Sequence, residues 1–288
     1  MSDHNRLLAL LSEPDAKAIK AHLRPAKLEL GAILYESGAL IERAYFPHNA
    51  MISLVVPLLR GGAIETAVVG GDGVAGASSA IDGHRAGCRA IVQIAGPALT
   101  IDIELLRQLA RQSYGVHALL SAHEEVILAQ SQQNAACNGA HDVHERFARW
   151  LLLARDRIGQ DDFFLTQEFV AEMLGVQRTS VTRVAQSLQD TGIIRYHRGR
   201  IHILKPVQLK EGSVLRVLWS HIGAICSIVR TSDQLVTGST PLDFLWALAR
   251  NGEQRMTVYT RHSRLSHSSR FGRGTIGQDG LCKPYPGY

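Results

Sequence analysis

The sequence predicts an α+β protein with an N-terminal β-roll of jelly-roll type, a long central helix, and a C-terminal unit of short helices followed by a hairpin. Between Lys27 and Ile103, short apolar runs with a period of two alternate with glycine-rich turns. From Ile103 to about Ala136 the apolar period becomes helical, with no proline and one glycine, Gly115. Residues 143–205 then contain helix caps, a glycine turn and a basic hairpin.

The composition indicates a globular chain whose excess positive charge lies near its C-terminus. The 288 residues suggest two domains, and 45% of them are hydrophobic, which suffices for a sizeable core. Residues 1–212 contain 22 Lys and Arg and 22 Asp and Glu, whereas residues 213–288 contain 9 and 4. No apolar run reaches the ~18 residues of a membrane span, and Met1–Arg6 lacks the layout of a signal peptide. We therefore expect a cytoplasmic protein with no membrane partner.

Residues 1–103 are predicted to form the β-roll, preceded by a short helix. The helix pattern runs over residues 5–23 and is interrupted near Pro14. Many short strands joined by glycine turns are typical of a small barrel or jelly roll. The clearest strands are Ala32–Tyr35, Met51–Val56 and Ala90–Ile94, and the clearest turns are Gly61-Gly62 and Gly70–Gly73.

Residues 104–140 are predicted to form a long helix and a hinge, with the helix ending at Asn138-Gly139. A helix that leaves a compact domain can bury its apolar stripe by pairing with the same helix of a second copy, or by packing on its own β-roll. We favour pairing, and hence a homodimer, on the helical periodicity alone.

Residues 141–211 carry the pattern of a helix-turn-helix. A first helix over residues 143–158 is closed by Gly159. Thr166 is placed to cap the next helix, with Glu168 in its first turn, where the helix dipole favours an acid. Gly175 ends that helix as a left-handed C-cap. The helix that follows places four apolar side chains on one face, namely Val181, Val184, Ala185 and Leu188. Two short helices joined at a glycine are the layout of a helix-turn-helix.

The second helix and the hairpin after it concentrate basic side chains. Gly192 stops the helix, and residues 193–197 and 201–204 are predicted to pair across Arg198-Gly199-Arg200 as a wing suited to straddling phosphates. Arg178 and Arg183 are the candidates for bidentate contacts to guanine. The side chains assigned to DNA contact are Thr166, Gln177, Arg178, Thr179, Ser180, Thr182, Arg183, Arg195, Arg198 and Arg200.

Other functions are weighed against DNA binding. The same helices would fit an interaction module that does not contact DNA, but the helix faces, the glycine turn, the arginine pair and the basic wing all agree on a DNA reader. No nucleophile elbow or phosphate-binding loop indicates an enzyme. Cys137, His141 and His144 have metal-like spacing without a full tetrahedral set, so we expect a buried thiol beside solvated histidines, no metal and no cofactor.

Several segments are similar to those of a known family. Glu145–Leu152, Leu165–Val176 and Thr191–Tyr196 resemble the DNA-binding half of the Crp/Fnr family of bacterial transcriptional regulators. Leu34–Gly38 and Ala44–Pro47 resemble the opening strands of its cyclic-nucleotide-binding-type β-roll. The resemblance covers about residues 5–211 and is specific in its second half.

The resemblance implies a β-roll sensor, a long dimerisation helix and a winged helix-turn-helix. It further implies a homodimer on palindromic double-stranded DNA, with RNA polymerase as another partner. The two arginines of the family's recognition helix fall on Arg178 and Arg183. A glutamate that follows the first arginine in the best-known member is Thr179 here, and the usual serine cap is Gln177, so the half-site sequence is not carried over.

The predicted sensor departs from the cyclic-nucleotide binders of the family. Those proteins carry a Gly-Glu pair for the ribose and an Arg-Ser/Thr pair for the phosphate, because a phosphate needs a guanidinium and hydroxyl or amide donors. In that region this chain has G-V-A-G-A-S-S at 73–79 and R-A-G-C-R at 85–89. Cyclic AMP is therefore not the expected ligand.

Residues 212–288 do not resemble the family. They are rich in Arg, Ser, His and Gly, and their apolar residues have no sustained period. This basic tail is interpreted as a small third domain, as a disordered extension that adds nonspecific phosphate affinity, or as the product of a frameshift. The frameshift hypothesis rests on back-translation of residues 212–230, because a shifted reading frame can encode an ending similar to that of family members.

Overall fold

The computed structural model describes residues 5–59 and 61–212, so the alternatives for the tail lie outside the described residues. The N-terminal part begins with a 3₁₀ turn, Leu8–Leu10. Its elements are α1 Glu13–Lys20, β1 Arg24–Leu28, β2 Ile33–Tyr35, β3 Arg43–Pro47, β4 Met51–Pro57, β5 Ala63–Val69, α2 Ala77–Asp82, β6 Arg89–Ile94 and β7 Gly96–Asp102.

The C-terminal part is mainly helical and ends in a small sheet. Its elements are α3 Ile103–Gln112, α4 Tyr114–Ala140, α5 Val143–Ile158, β8 Asp162–Phe164, α6 Gln167–Leu174, α7 Arg178–Asp190, β9 Ile194–His197, β10 Arg200–Ile203 and α8 Pro206–Glu211. No helix among the described residues is both long and apolar enough to cross a membrane.

Two antiparallel sheets form the N-terminal roll, which confirms the predicted α+β class. One sheet has the strand order β1-β7-β3 and the other β2-β6-β4-β5. Leu28, Ile52 and Ala98 come from both sheets and share one buried apolar cluster. The three strands predicted from alternating residues are present as β2, β4 and β6. Alternation along β4 places Ile52 and Leu54 in this cluster and leaves Ser53 on the other face.

The helices differ from the sequence prediction at three points. Pro14 starts α1 rather than interrupting a helix, since it occupies the first turn behind the cap Ser12. The predicted continuous helix from Ile103 is broken at Ser113, whose extended backbone ends α3 while its hydroxyl accepts from the Val116 amide and caps α4. The expected end at Asn138-Gly139 is wrong, because α4 continues to Ala140.

Helix α5 joins the roll to the C-terminal part through its own core. Ten of its sixteen residues are buried, more than one face of a surface helix can supply. Phe147 and Leu151 share a cluster with the helices that follow and with Met51 and Val68 on the outer side of the β2-β6-β4-β5 sheet. One apolar core therefore connects α5 to elements on both sides of it.

Glycines allow the end of α5 to approach the loop after β5 at backbone distance. A Cβ at Gly70 would lie 2.4 Å from Arg157 Cβ and 3.0 Å from Arg157 Cα. The Gly71 amide donates to the Arg157 carbonyl at 3.1 Å. A side chain at residue 70 would therefore push this helix away from the roll.

We expect Gly70→Ala to lower the free energy of unfolding by roughly 1–3 kcal/mol, the usual cost of overpacking. Gly87→Ala is the matched control, because its Cβ would meet no atom within 4 Å and should change stability by less than about 0.5 kcal/mol. Urea denaturation of both variants measures the difference. Equal midpoints would contradict the close approach of α5 to the roll.

Candidate nucleic-acid interface

The first helix of the helix-turn-helix is fixed by caps at both ends. The Thr166 hydroxyl accepts from the Phe169 amide at 3.2 Å, as its position before α6 predicts. At the other end Gly175 has φ of +62°, so the predicted left-handed C-cap is confirmed. The turn after α6 therefore leaves at a defined angle and sets the direction of α7.

Helix α7 buries one face and exposes the residues assigned to DNA. Val181, Ala185 and Leu188 are fully buried, whereas Val184 is only half-buried. The opposite side exposes the predicted reading residues Arg178, Thr179, Thr182 and Arg183, with Gln177 exposed and Ser180 half-buried beside them. Gln177 makes no side-chain capping hydrogen bond, as expected of glutamine at an N-cap.

Two of these reading residues contact the preceding helix. Arg178 forms an ion pair with Glu168, and both side chains are mostly exposed. The Thr182 hydroxyl lies 2.6 Å from Gln167 Oε1. Sequence reasoning assigned Glu168 only to the helix dipole. Arg178 and Glu168 are ten residues apart, so no local sequence pattern marks them as a pair. They meet because α6 and α7 cross at the glycine turn, which brings the first turns of the two helices together.

Arg183 differs from Arg178 in its surroundings. Within the described residues no hydrogen bond or ion pair involves Arg183. Its guanidinium therefore has all its donors available, whereas that of Arg178 shares one with a carboxylate.

The wing is a three-stranded sheet in the order β8-β10-β9. Arg198 and Gly199 have φ of +49° and +79°, the signature of a two-residue type I′ hairpin turn. A Cβ at Gly199 would lie 2.8 Å from the Phe164 ring, so the tip packs on β8. The predicted hairpin is confirmed, but β8 was not foreseen, because three residues are too short to show an alternating pattern.

The basic side chains of the wing are exposed. Arg195 and Arg198 are open to solvent, and Arg200 donates to Asp162 at 2.7 Å. The Tyr196 hydroxyl donates to the Leu165 carbonyl at 2.7 Å, which ties the wing to the start of α6. Burial is the main cause that raises the pKa of Tyr196 to about 12, so this donor stays protonated at any physiological pH.

The other candidate groups do not assemble into a metal site in the described part of the chain. No cluster of three His, Cys, Asp or Glu side chains there could hold a metal ion. The Cys137 thiol is buried and lies 3.2 Å from Gln133 Nε2. Burial also raises the pKa of Cys88 to about 11, which keeps this thiol protonated and weakly nucleophilic.

The comparison with protein families decides the type of domain. Residues 145–211, which span α5 to α8, match the model of the Crp-like helix-turn-helix domain. This part of the chain is therefore a Crp-like helix-turn-helix domain. The predicted resemblance to the DNA-binding half of the Crp/Fnr regulators is thereby confirmed.

Solved structures share the fold over about two thirds of this chain. FixK2 from Bradyrhizobium japonicum is 17% identical, with a TM-score of 0.58, over 67% of this chain and 98% of its own. A CRP/FNR-family regulator from Thermus thermophilus is 20% identical, with a TM-score of 0.53, over 66% and 97%. A curated relative, the global nitrogen regulator of Synechococcus elongatus, is 23% identical over 221 residues, which cover 73% of this chain and 98% of the relative.

The caps of the Crp/Fnr-type domain can be tested by a matched pair of substitutions. Thr166→Ala removes the acceptor of the Phe169 amide and should cost about 1 kcal/mol of stability. Gln177→Ala removes no capping hydrogen bond and should lower stability by only a few tenths of a kcal/mol. Thermal unfolding of both variants measures the difference, and an equal loss in the two would be inconsistent with the cap geometry.

Proposed function

We propose that this chain is a transcriptional regulator of the Crp/Fnr type, which binds palindromic double-stranded DNA as a homodimer. The observation that carries the proposal is the exposed face at the start of α7, where Arg178, Thr179, Thr182 and Arg183 point away from the buried side of the helix. A recognition helix reads base edges in the major groove with its N-terminal residues. RNA polymerase is the further partner, and the cytoplasm the compartment, that such a role requires.

The exposed side chains divide into two roles. Arg178 and Arg183 suit bidentate contacts to guanine O6 and N7. Arg195, Arg198 and Arg200 lie on the wing, where contact with phosphates positions the domain without reading sequence. The main body is net neutral, so affinity for DNA depends on this local patch rather than on overall charge.

Helix α4 supplies the dimer contact in this proposal. Leu128 is 57% exposed near the middle of the helix, and Tyr114 is exposed at its start. In α4, the buried residues Leu119, His123 and Gln130 instead face the same chain. One face of α4 therefore packs on its own roll. The other face is exposed and can pair with the same helix of a second copy.

The proposed effector is not cyclic AMP. Both arginines of the segment that would meet the phosphate are engaged elsewhere: Arg85 donates to the Gly38 carbonyl and Arg89 to the Glu36 carboxylate. The inside of the roll is lined mainly by apolar side chains such as Ile52 and Val92. An anionic ligand would have to compete with these partners for both guanidinium groups.

DNA binding is tested by selecting bound sequences from a random pool and measuring their affinity for variants. Arg183→Ala should relax the preference at one base pair of each half-site and cost about 1–3 kcal/mol. Arg198→Ala should weaken binding evenly across sequences and reduce the salt slope by about one. Arg111→Ala, at an exposed arginine of α3 remote from the wing in sequence, is the control. The absence of any selected sequence would refute the proposal.

Dimerisation is tested by placing a charge on α4. Leu128→Glu would put a carboxylate into the proposed helix pair and should convert a dimer into a monomer, because an unpaired buried charge costs several kcal/mol. Val207→Glu is the control, since Val207 is 72% exposed on α8. Sedimentation of the two variants decides, and a monomeric wild-type chain would rule out the dimer.

A further inference from the structure

A carboxylic acid is buried between the roll and the DNA-binding domain. Glu65 of β5 lies on the outer face of the β2-β6-β4-β5 sheet and is only 5% exposed. Its Oε1 accepts from the Trp150 indole of α5 at 3.0 Å, across 85 residues of sequence. Its Oε2 lies 2.6 Å from the hydroxyl of Ser53 on β4. The acid therefore links the sensor sheet to the helix that supports the helix-turn-helix.

The groups around Glu65 provide little positive charge. Ser53 on the adjacent strand β4, Gln93 on β6 and Trp150 on α5 are all neutral. The facing charge is Arg149 of α5, whose guanidinium donates to Asn134 of α4. No Lys, Arg or His among the described residues forms an ion pair with Glu65. A buried carboxylate without an ion pair is costly to ionise.

The hydrogen-bond arrangement can accommodate the protonated acid. Ser53 has one hydroxyl hydrogen, but it contacts two oxygens, Glu65 Oε2 and Gln93 Oε1. If Glu65 is protonated, it donates to Ser53, and Ser53 donates to Gln93, so every oxygen contact contains a hydrogen. If Glu65 is ionised, Ser53 must donate to it, and the Gln93 oxygen faces Ser53 without a hydrogen unless its amide turns over. The site therefore accommodates an added proton with the Gln93 oxygen turned towards Ser53, and the ionised acid with the amide turned over.

The interface around Glu65 combines apolar contacts with a buried ion pair. Apolar contacts hold one part of it, where Phe169 and Met173 of α6 pack against Val55 and Ala63 of the roll. Its far end holds the buried ion pair of Arg157 and Asp72, to which Arg6 adds a second positive charge.

Polar atoms at this interface lack partners. Within the described residues, Gln93 Nε2, Arg149 Nε and Arg157 Nε are buried without a hydrogen bond. Unmade hydrogen bonds of this kind reduce the stability of docking.

We propose that Glu65, Ser53 and Trp150 form a proton-binding latch: docking of the DNA-binding domain on the roll takes up a proton at Glu65, and release of that proton favours separation. The regulatory meaning of this latch, control of the domain that carries the recognition helix, rests on the proposed function. The ligand is the proton itself. Its binding site is the Glu65 carboxyl, with Trp150 as the donor to one oxygen and Ser53 as the acceptor of the bound proton.

The direction of the pH effect follows from the two states of the acid. Burial raises the pKa of docked Glu65 from its ordinary value to about 7, with Ser53, Trp150 and Arg149 opposing the shift. When the domains separate, solvent reaches the carboxyl and its pKa returns towards about 4.3. The docked state therefore binds the extra proton between these values, and docking weakens as the pH rises through that window. Above about pH 7 both states are ionised, and the pH dependence ends.

The Gly71 amide provides a direct readout of docking in the full chain without DNA. It donates to the Arg157 carbonyl across the interface, whereas the Gly83 amide donates to Ser79 within the roll. After correction for intrinsic exchange rates, hydrogen exchange at Gly71 should reveal an opening constant that rises up to about tenfold per pH unit between pH 5 and 7. Gly83 should show no such rise.

Two variants test whether Glu65, rather than another titrating group, causes the rise in exchange at Gly71. Glu65→Gln imitates the protonated acid, so the rise at Gly71 should disappear while docking persists. Trp150→Phe removes a donor to the ionised form, so the rise should remain but extend to a higher pH. A flat wild-type profile, a rise that survives in Glu65→Gln, or an unmoved profile in Trp150→Phe would overturn the latch. This measurement is made without DNA, so its result does not depend on whether the chain binds DNA.

Discussion

The packing of α5 between two partners is the constraint on which the rest of the structure depends. One side of the helix completes the core of the helix-turn-helix and the other side covers the outer face of the roll. A helix with one apolar stripe can pack against one partner. Most residues of α5 are buried, because the helix packs against two partners. The position of α7 is set by α5 and α6, and both of these helices contact the roll. The orientation of the reading face relative to the roll therefore depends on the packing of α5 together with that of α6.

Polar side chains make that packing specific. Arg149, Trp150 and Arg157 lie on α5 between apolar residues, and each finds a partner on a different element: Asn134, Glu65 and Asp72. Replacing such groups by apolar ones is often neutral for stability, whereas removing one partner alone is costly. Their contribution is therefore to favour one docked arrangement over others that would bury the same apolar area.

The junction at Asn134 brings three functional parts into contact. Its amide nitrogen donates to the Thr66 carbonyl on the free edge of β5, and its oxygen accepts from Arg149. Gln130, one turn earlier on α4, accepts from the Val68 amide of the same strand. The proposed dimer helix thus covers the edge of the strand that carries Glu65. A displacement at the latch would therefore act directly on both α4 and α5.

Local features were predictable from sequence, and contacts between distant elements were not. The caps at Thr166 and Gly175 and the turn at Gly199 depend on a few adjacent residues, so their chemistry is visible in the sequence. The break at Ser113 was missed because serine is tolerated inside a helix and acts as a cap only when the chain turns there. The partner of Glu65 depends on the docking of two domains, and no periodicity of β5 marks it.

The two arginines of the reading face are not equivalent, and the difference follows from their partners. The ion pair of Arg178 with Glu168 is mostly exposed, so it is worth at most about 1 kcal/mol and is weakened further by salt. A guanine that accepts from Arg178 must replace or share this carboxylate, which offsets part of the gain and also holds the guanidinium near α6. Arg183 has no such competitor among the described residues. In the proposed DNA complex, a base contact by Arg183 would therefore be gained in full, whereas Arg178 would exchange one acceptor for another. The proposal thus places the sharper discrimination at the base pair assigned to Arg183.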